Sequence, residues 1–433
     1  LLFLGGATHH KSQLFIIDSL GIQPKITTDF DEDLLSEDVD ATFFDADNDG
    51  DDDLFVVSGG NEFRGKSKSL KDRIYFNDGK NNFTKSAAAL PEYFENGSFI
   101  RINDIDKDGD IDLFVGGRSI AKEFGKSPRS YLLLNDGSGK FEIAKSILTA
   151  TIGMLTDAVF TDFNNDGFDD LIVVGEWMSP QFYENNKGNF VNITKSLTDK
   201  NNMGLWQAIQ PYDMDGDGDT DYLLGNWGLN TKFKASKKEP LKMLIGDLLK
   251  NDKWLTLLSF AKNETYYSIN TKEELQQVLG GSIDTKFKSY KAFAGKNFDQ
   301  IINKKIQARG ILKTVQNLSS GYLENRNGSY TFKAFNETLQ LSPITCFSKD
   351  DFNKDGLEEV LIAGNLFEVP PFHGKLDGNL GSILHTGGKI TSGLDLGLAI
   401  GNKQIKQINT LRVGNENYLI VVINNDKTLV YKY

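Results

Sequence analysis

Six carboxylates fall within nine residues at Asp45-Ala46-Asp47-Asn48-Asp49-Gly50-Asp51-Asp52-Asp53, a density that like-charge repulsion opposes unless a cation sits among them. Asp45, Asp47, Asp49 and Asp53 stand at positions 1, 3, 5 and 9, and the backbone carbonyl of Asp51 stands at position 7. Together these make the oxygen shell that a hard divalent ion takes. Gly50 at position 6 permits the sharp turn that folds the donors inward. The chemistry predicted is calcium coordination. An EF-hand opens with the same residues but needs a bidentate Glu at position 12 and a helix on either side. Position 12 here is Val56, inside Leu54-Phe55-Val56-Val57, a short branched and aromatic run that reads as a buried strand. The loop must therefore be held between two strands.

The pattern recurs. Asp104, Asp106, Asp108, Asp110 and Asp112 repeat it in full, as do Asp213, Asp215, Asp217, Asp219 and Asp221. A third copy has Asp162, Asn164, Asp166 and Asp170, with Phe168 offering its carbonyl at position 7. A fourth has Asp351, Asn353, Asp355 and Glu359, with Leu357 at position 7. All five run into an apolar strand with Val or a similar residue at position 12 (Val56, Val115, Val173, Leu224, Ile362), so none is an EF-hand. Recurrence at this spacing signals a repeat architecture.

D-x-[DN]-x-D-G-x-x-[DE] flowing into an apolar strand that ends in Gly resembles the FG-GAP/VCBS repeat, the blade unit of integrin-type β-propellers. Arg73-Ile74-Tyr75-Phe76-Asn77-Asp78-Gly79 and Leu132-Leu133-Leu134-Asn135-Asp136-Gly137 look like the third strand and turn of such blades. Gly225-Asn226-Trp227-Gly228-Leu229-Asn230 resembles bacterial surface members related to the cartilage acidic protein group. The resemblance implies an all-β fold: one β-propeller over residues 1–433, of four-stranded blades with calcium between strands 1 and 2 of each. It implies no enzyme. It also implies an extracellular or outer-membrane surface location, which no signal in the chain states.

The charge balance agrees with a metal-ligand inventory. The net charge of −12 becomes about −2 if five loops each hold one Ca²⁺, and it argues against nucleic acid as a partner. No run approaches the eighteen or so apolar residues of a membrane span. Cys346 stands alone, so an intrachain disulfide is excluded, and it reads as a small buried hydrophobe. His9-His10 has no Cys or acidic partner at diagnostic spacing, while His373 and His385 lie in a Gly-rich stretch. Leu1-Leu2-Phe3-Leu4-Gly5-Gly6 matches the second strand of the other blades, so the first blade is expected to be truncated, its opening strand lying upstream.

Between the loops at 213 and 351 the period breaks. The run 243–255 is expected to form a blade with a poor metal site, because Leu249 replaces the third ligand and Asp252 the turn glycine. Thr271-Lys272-Glu273-Glu274 is a capping box, and Leu275, Val278, Leu279, Phe287, Tyr290 and Phe293 follow at helical spacing, predicting a helical insertion over about 271–307 against one face of the propeller. Strands near 405–411, 418–423 and 428–433 are expected to meet the first residues at a closing seam, giving seven blades, or eight if the end pieces count separately.

The turns after each second strand must emerge opposite the metal loops. Asn61, Glu62, Phe63, Arg118, Glu176, Trp177, Asn226, Trp227, Asn365 and Phe367 lie there, and Arg plus aromatic character marks interface anchors. Arg118, Glu176, Trp177, Asn226, Trp227 and Phe367 are the expected partner-binding set; packing between blades is the competing use of the two tryptophans. The function expected is calcium-stabilised binding of a protein or glycan at a bacterial cell surface, with membrane attachment left to an upstream region or a partner, or service as an accessory subunit of an outer-membrane assembly. The alternative is a carbohydrate-active enzyme such as a propeller lyase.

Overall fold

The strands form eight antiparallel sheets in a computed structural model that describes residues 1–18, 21–198, 202–369 and 374–433. Seven succeed one another as blades of a β-propeller. Blade 1 holds Leu2–Leu4, Gln13–Asp18 and Gly21–Lys25; blade 2 opens with Glu37–Phe44 and Asp53–Gly59, blade 3 with Gly97–Asn103 and Asp112–Gly117, and blade 4 with Met154–Thr161 and Asp170–Met178. Blade 5 opens with Ala208–Tyr212 and Asp221–Gly225, blade 6 with Ile344–Asp350 and Glu359–Gly364, and blade 7 holds Ile405–Val413, Glu416–Ile423 and Leu429–Lys432. Blades 2 to 6 have four strands in meander order, with Gly204–Leu205 added as a fifth beside Asp170–Met178 in blade 4; blades 1 and 7 have three.

The second strands explain why the apolar runs are continuous. Asp53–Gly59 is buried along its whole length, because its two faces feed two cores: Leu54 and Val56 pack with Leu14 and Phe30 of blade 1, and Phe55 and Val57 with Leu113 and Val115 of blade 3. The same division gives shared cores between every later pair of neighbours. A strand buried on both sides loses the polar–apolar alternation of a half-exposed one. At the ends of the chain, Lys406 of blade 7 acts on Glu37 of blade 2, opposing the rise that burial and then Glu62 impose on that carboxyl. The two ends nonetheless do not share a sheet. Contrary to the expected seam, Leu2–Leu4 and Leu429–Lys432 belong to separate three-stranded sheets.

The run 243–255 also departs from expectation. It does enter a four-stranded sheet (Leu241–Gly246, Leu255–Lys262, Thr265–Ser268, Ile311–Val315), but this sheet is inserted between strands 2 and 3 of blade 5, since Tyr222, Leu223 and Leu224 pair with Leu323, Tyr322 and Gly321. Blades 5 and 6 remain neighbours through Leu223, Ile344, Val360 and Ile362. Apart from the short helix Thr194–Leu197 after blade 4, the α-helices lie inside the insertion, starting at Lys272–Leu279 with the Thr271–Glu274 capping box in place. They cover their own sheet, not the propeller: Leu275, Leu279, Phe287 and Ile301 pack on Leu244, Leu248 and Leu257. The sheet's other face meets blade 4, with Met243 and Ile245 against Met154 and Trp177. Val278 and Tyr290, expected in the apolar face, are exposed. Among the described residues no helix is long and apolar enough to cross a membrane.

Candidate metal centres

Each D-x-[DN]-x-D-G loop connects strands 1 and 2 of blades 2 to 6, and its own carboxylates build its backbone. In the first, Asp45 accepts from the N–H groups of Asp49 (3.2 Å) and Gly50 (2.9 Å), and Asp49 accepts from Asp51 N–H at 2.9 Å. Asp162 and Asp351 accept from Asp166 and Gly167, and from Asp355 and Gly356, at 2.9–3.1 Å; Asp104 takes Gly109 at 3.2 Å and Asp213 takes Gly218 at 3.1 Å. Gly50 sits at φ +92°, with the other four turn glycines between +89° and +99°, where a Cβ is strained.

The ninth carboxylate has a different task. Asp53, Asp112, Asp170, Asp221 and Glu359 are buried. One oxygen closes the loop on the second residue's N–H: Ala46 at 3.0 Å, Ile105 at 3.2 Å, Phe163 at 3.3 Å, Met214 at 3.0 Å and Phe352 at 3.0 Å. In four blades the other oxygen accepts from the backbone N–H of an asparagine at the last or next-to-last position of the third strand: Asn77 (2.8 Å), Asn135 (2.9 Å), Asn185 (2.7 Å) and Asn325 (2.7 Å). In blade 6, His385 takes that place, with Nδ1 3.4 Å from Glu359 and Nε2 2.9 Å from Thr391 Oγ1. These asparagines escaped the sequence reading as functional groups, although an Asn after each third-strand run was visible.

Three loops bring carboxylates together: Asp45, Asp47 and Asp53; Asp104, Asp106 and Asp108; and Asp213, Asp215 and Asp221, each with oxygens within 4.8 Å of one another. Asp47 Oδ1 and Asp104 Oδ1 are buried with no hydrogen-bond partner. Burial first, and then the neighbouring Asp49 and Asp108, push the Asp47 and Asp106 carboxyls up. Burial also pushes Asp53 and Asp221 up to about 6 and Asp112 and Asp170 up to about 7, against the backbone donors that pull them down. A set of crowded, partly desolvated carboxylates with orphaned oxygens fits a divalent cation such as calcium, which would reverse each of these shifts.

The other two loops differ. Asn164 Nδ2 donates to Asp166 (3.1 Å) and Glu184 (3.4 Å), and Asn353 Nδ2 to Glu359 (2.5 Å), so an amide relieves repulsion that elsewhere has no internal remedy. At position 7 the side chains turn elsewhere: Asp110 accepts from Asn48 Nδ2 at 2.7 Å, and Leu357 is exposed. No cluster among the described residues includes His9 or His10, and His373 lies outside the described residues.

On the opposite face much of the expected partner set is framework. Glu176 is buried and holds Arg118 through two bonds (3.1 and 2.7 Å) and Gln207 through one (3.1 Å). Trp177, at φ +59°, is buried against Leu241 and Met243 of the insertion. Asn226 is fully buried, accepting from Leu205 and Trp227 N–H and donating to Asn317 and Ser319 carbonyls. Those three are corrected from partner contacts to internal ones. Arg118, Trp227 and Phe367 keep partial exposure, the last under the Lys375 ammonium at 4.8 Å.

Fold and loops together define a β-propeller carrying repeated acidic loops that could hold a metal ion. The FG-GAP-like repeat model matches residues 45–115, 104–173 and 162–224, each window starting at the first aspartate of a loop and ending in the second strand of the next blade. No curated protein matches the chain. Among solved structures, the V. cholerae biofilm matrix protein Bap1 is 12% identical, with a TM-score of 0.34 over 96% of this chain and 82% of that one. BBS1N, solved in complex with ARL6DN, is 10% identical, with a TM-score of 0.31 over 88% and 87%.

Proposed function

We propose that this chain is a calcium-stabilised binding and scaffold module that acts outside the cell, at a bacterial surface, on a protein or glycan partner. The observation that carries the calcium reading is the pair of buried oxygens, Asp47 Oδ1 and Asp104 Oδ1, that have no partner within the protein. In this reading one ion sits in each of the five loops, held by the carboxylates or amides at positions 1, 3, 5 and 9 and the carbonyl at position 7. Asn164 and Asn353 make the loops of blades 4 and 6 the weaker two. The ion's contribution is charge neutralisation, which couples its binding to loop order. Exposed loops of this kind suit extracellular calcium, with dissociation constants of about 10⁻⁴–10⁻³ M.

A non-catalytic role is part of the proposal. A groove of about 530 Å³ between blades 5 and 6 is lined, among the described residues, by Asn336, Ser342, Asn379, Ser392 and Asp395, polar side chains that could hydrogen-bond a partner. Arg118, Trp227 and Phe367 are the anchors left for a partner. Melting the chain in millimolar calcium and in excess EGTA tests the reading: a fall of many degrees on chelation is expected, and coincident curves would defeat it.

A further inference from the structure

Two asparagines each reach across to the neighbouring blade's loop. Asn135 is buried at the end of the third strand of blade 3. Its N–H donates to Asp112 Oδ1, the ninth donor of its own blade's loop (2.9 Å), while its Nδ2 donates to the carbonyl of Ala46 in the loop of blade 2 (2.8 Å). Asn185 in blade 4 repeats this: N–H to Asp170 Oδ1 at 2.7 Å and Nδ2 to the Ile105 carbonyl in the loop of blade 3 at 2.8 Å. Ala46 and Ile105 directly follow the first ligands Asp45 and Asp104.

A second line of contacts links the same loops along the rim, reaching forward where the asparagines reach back. Asn48 Nδ2 donates to Asp110 Oδ1 (2.7 Å) and the Gly137 carbonyl (3.3 Å). Lys107 Nζ donates to the Gly167 carbonyl and lies 4.8 Å from the Phe168 ring centre. Asn48 and Lys107 both sit at position 4, at φ +61° and +63°, so the turn that places ligands 3 and 5 also aims these side chains at the next loop. Elsewhere the asparagines stay at home: Asn77 Nδ2 reaches Asp52 O of its own loop at 3.1 Å, and Asn325 Nδ2 reaches Thr220 O at 3.4 Å. Blade 6 has His385 instead, and the two residues after it bridge to the loop of blade 5, Gly387 N–H donating to the Met214 carbonyl (2.8 Å) and Thr386 Oγ1 to the Asp213 carbonyl (3.2 Å).

We infer that Asn135 and Asn185 are positioning residues that join the loops 45–53, 104–112 and 162–170 into one coupled cation-binding unit, separate from the loops 213–221 and 351–359. The inference rests on the calcium reading above. Each amide bridges the start of one loop and the last ligand of the next, and a buried Asn makes both bonds in only one placement. Ordering either loop fixes that placement and lowers the ordering cost of its neighbour, and the effect is reciprocal.

The test titrates the full chain with calcium alone and follows amide hydrogen exchange in peptides covering each loop. The first three loops are expected to gain protection at one shared midpoint, apart from the other two. Asp106→Asn with Asp108→Asn, which cripples only the middle loop, should shift the midpoints of 45–53 and 162–170 by at least about fivefold, the low end of site–site coupling, and leave 213–221 unmoved. Asn135→Ala and Asn185→Ala should separate the midpoints, and Asn77→Ala should not. Should the Asn variants fail to fold, the middle-loop variant decides alone. Calcium-dependent protection in which 45–53 and 162–170 ignore the middle loop would overturn the coupling and leave the calcium reading standing. No calcium-dependent protection in any loop would remove both.

Discussion

The loop 45–53 and the degenerate loop 247–255 have nearly the same backbone and opposite chemistry. Asp247 accepts from Asn251 and Asp252 N–H at 3.0 and 3.2 Å, as Asp45 does from Asp49 and Gly50. Asp252 stands in the glycine position at φ +59°, a left-handed conformation Asp tolerates better than most residues. Beyond that the two diverge: Leu249 replaces Asp47, and Leu255, buried in the core of the insertion, replaces Asp53. The first aspartate and two left-handed residues, Lys250 at φ +58° and Asp252, therefore suffice to make the turn. The remaining carboxylates are not needed for the shape, and in 45–53 they are a source of repulsion that a bound cation would offset.

The comparison predicts that the insertion holds by apolar packing and the propeller loops by charge neutralisation. Leu248 is fully buried beneath the helices, and Leu248→Ala should lower stability by about 2–5 kcal/mol, by the same amount in calcium and in EGTA. Urea unfolding in the two buffers checks this; a calcium-dependent loss would break the contrast between the two regions.

This contrast marks what the sequence discloses. Metal-loop donors lie within nine consecutive residues, so residue type and spacing identify them, and the second strands announce themselves because both faces are buried. The place of the insertion is not legible, since it depends on Tyr222 pairing with Leu323 across about a hundred residues, and an apolar run reads alike in or out of the ring. Asn135 and Asn185 were visible as turn residues, but their partners Ala46 and Ile105 lie a blade away. Trp177 followed a strand-2 glycine like an exposed anchor, and only the docking of the insertion buries it.

A buried carboxyl outside the acidic loops, beside Arg73, sharpens the comparison next. Asp72 accepts from Ser58 N–H and from Tyr93 Oη–H, each at 2.7 Å, and burial pushes its carboxyl up to about 6 against those two donors. Its unfolded value is near 3.8, so the folded state holds the proton more tightly between about pH 4 and 6. Stability from this group is complete below about pH 4 and falls by about 2–3 kcal/mol as pH rises through 6. Asp72→Asn keeps both partners, because the amide oxygen can accept from Ser58 and the amide nitrogen can donate to Tyr93. Unfolding in saturating calcium from pH 4 to 7 should show that slope in the parent and not in the variant; parallel curves would assign the pH dependence elsewhere.

The smallest effect is the one whose sign discriminates. Asp47→Asn keeps the shape of the side chain and removes one charge from the cluster with Asp45 and Asp53. If the orphaned Asp47 Oδ1 is a cation ligand, the change costs about 1–2 kcal/mol in calcium. In EGTA the same change relieves repulsion from Asp45 and Asp49, the neighbours that with burial raise this carboxyl, so it should be neutral or stabilising. Leu249, at the matching position of the degenerate loop, supplies the control: Leu249→Asn should give the same small change in both buffers. A loss at Asp47 of equal size with and without calcium would mean that the carboxylate serves the turn and not an ion, and the two loops would then differ in sequence without differing in what holds them.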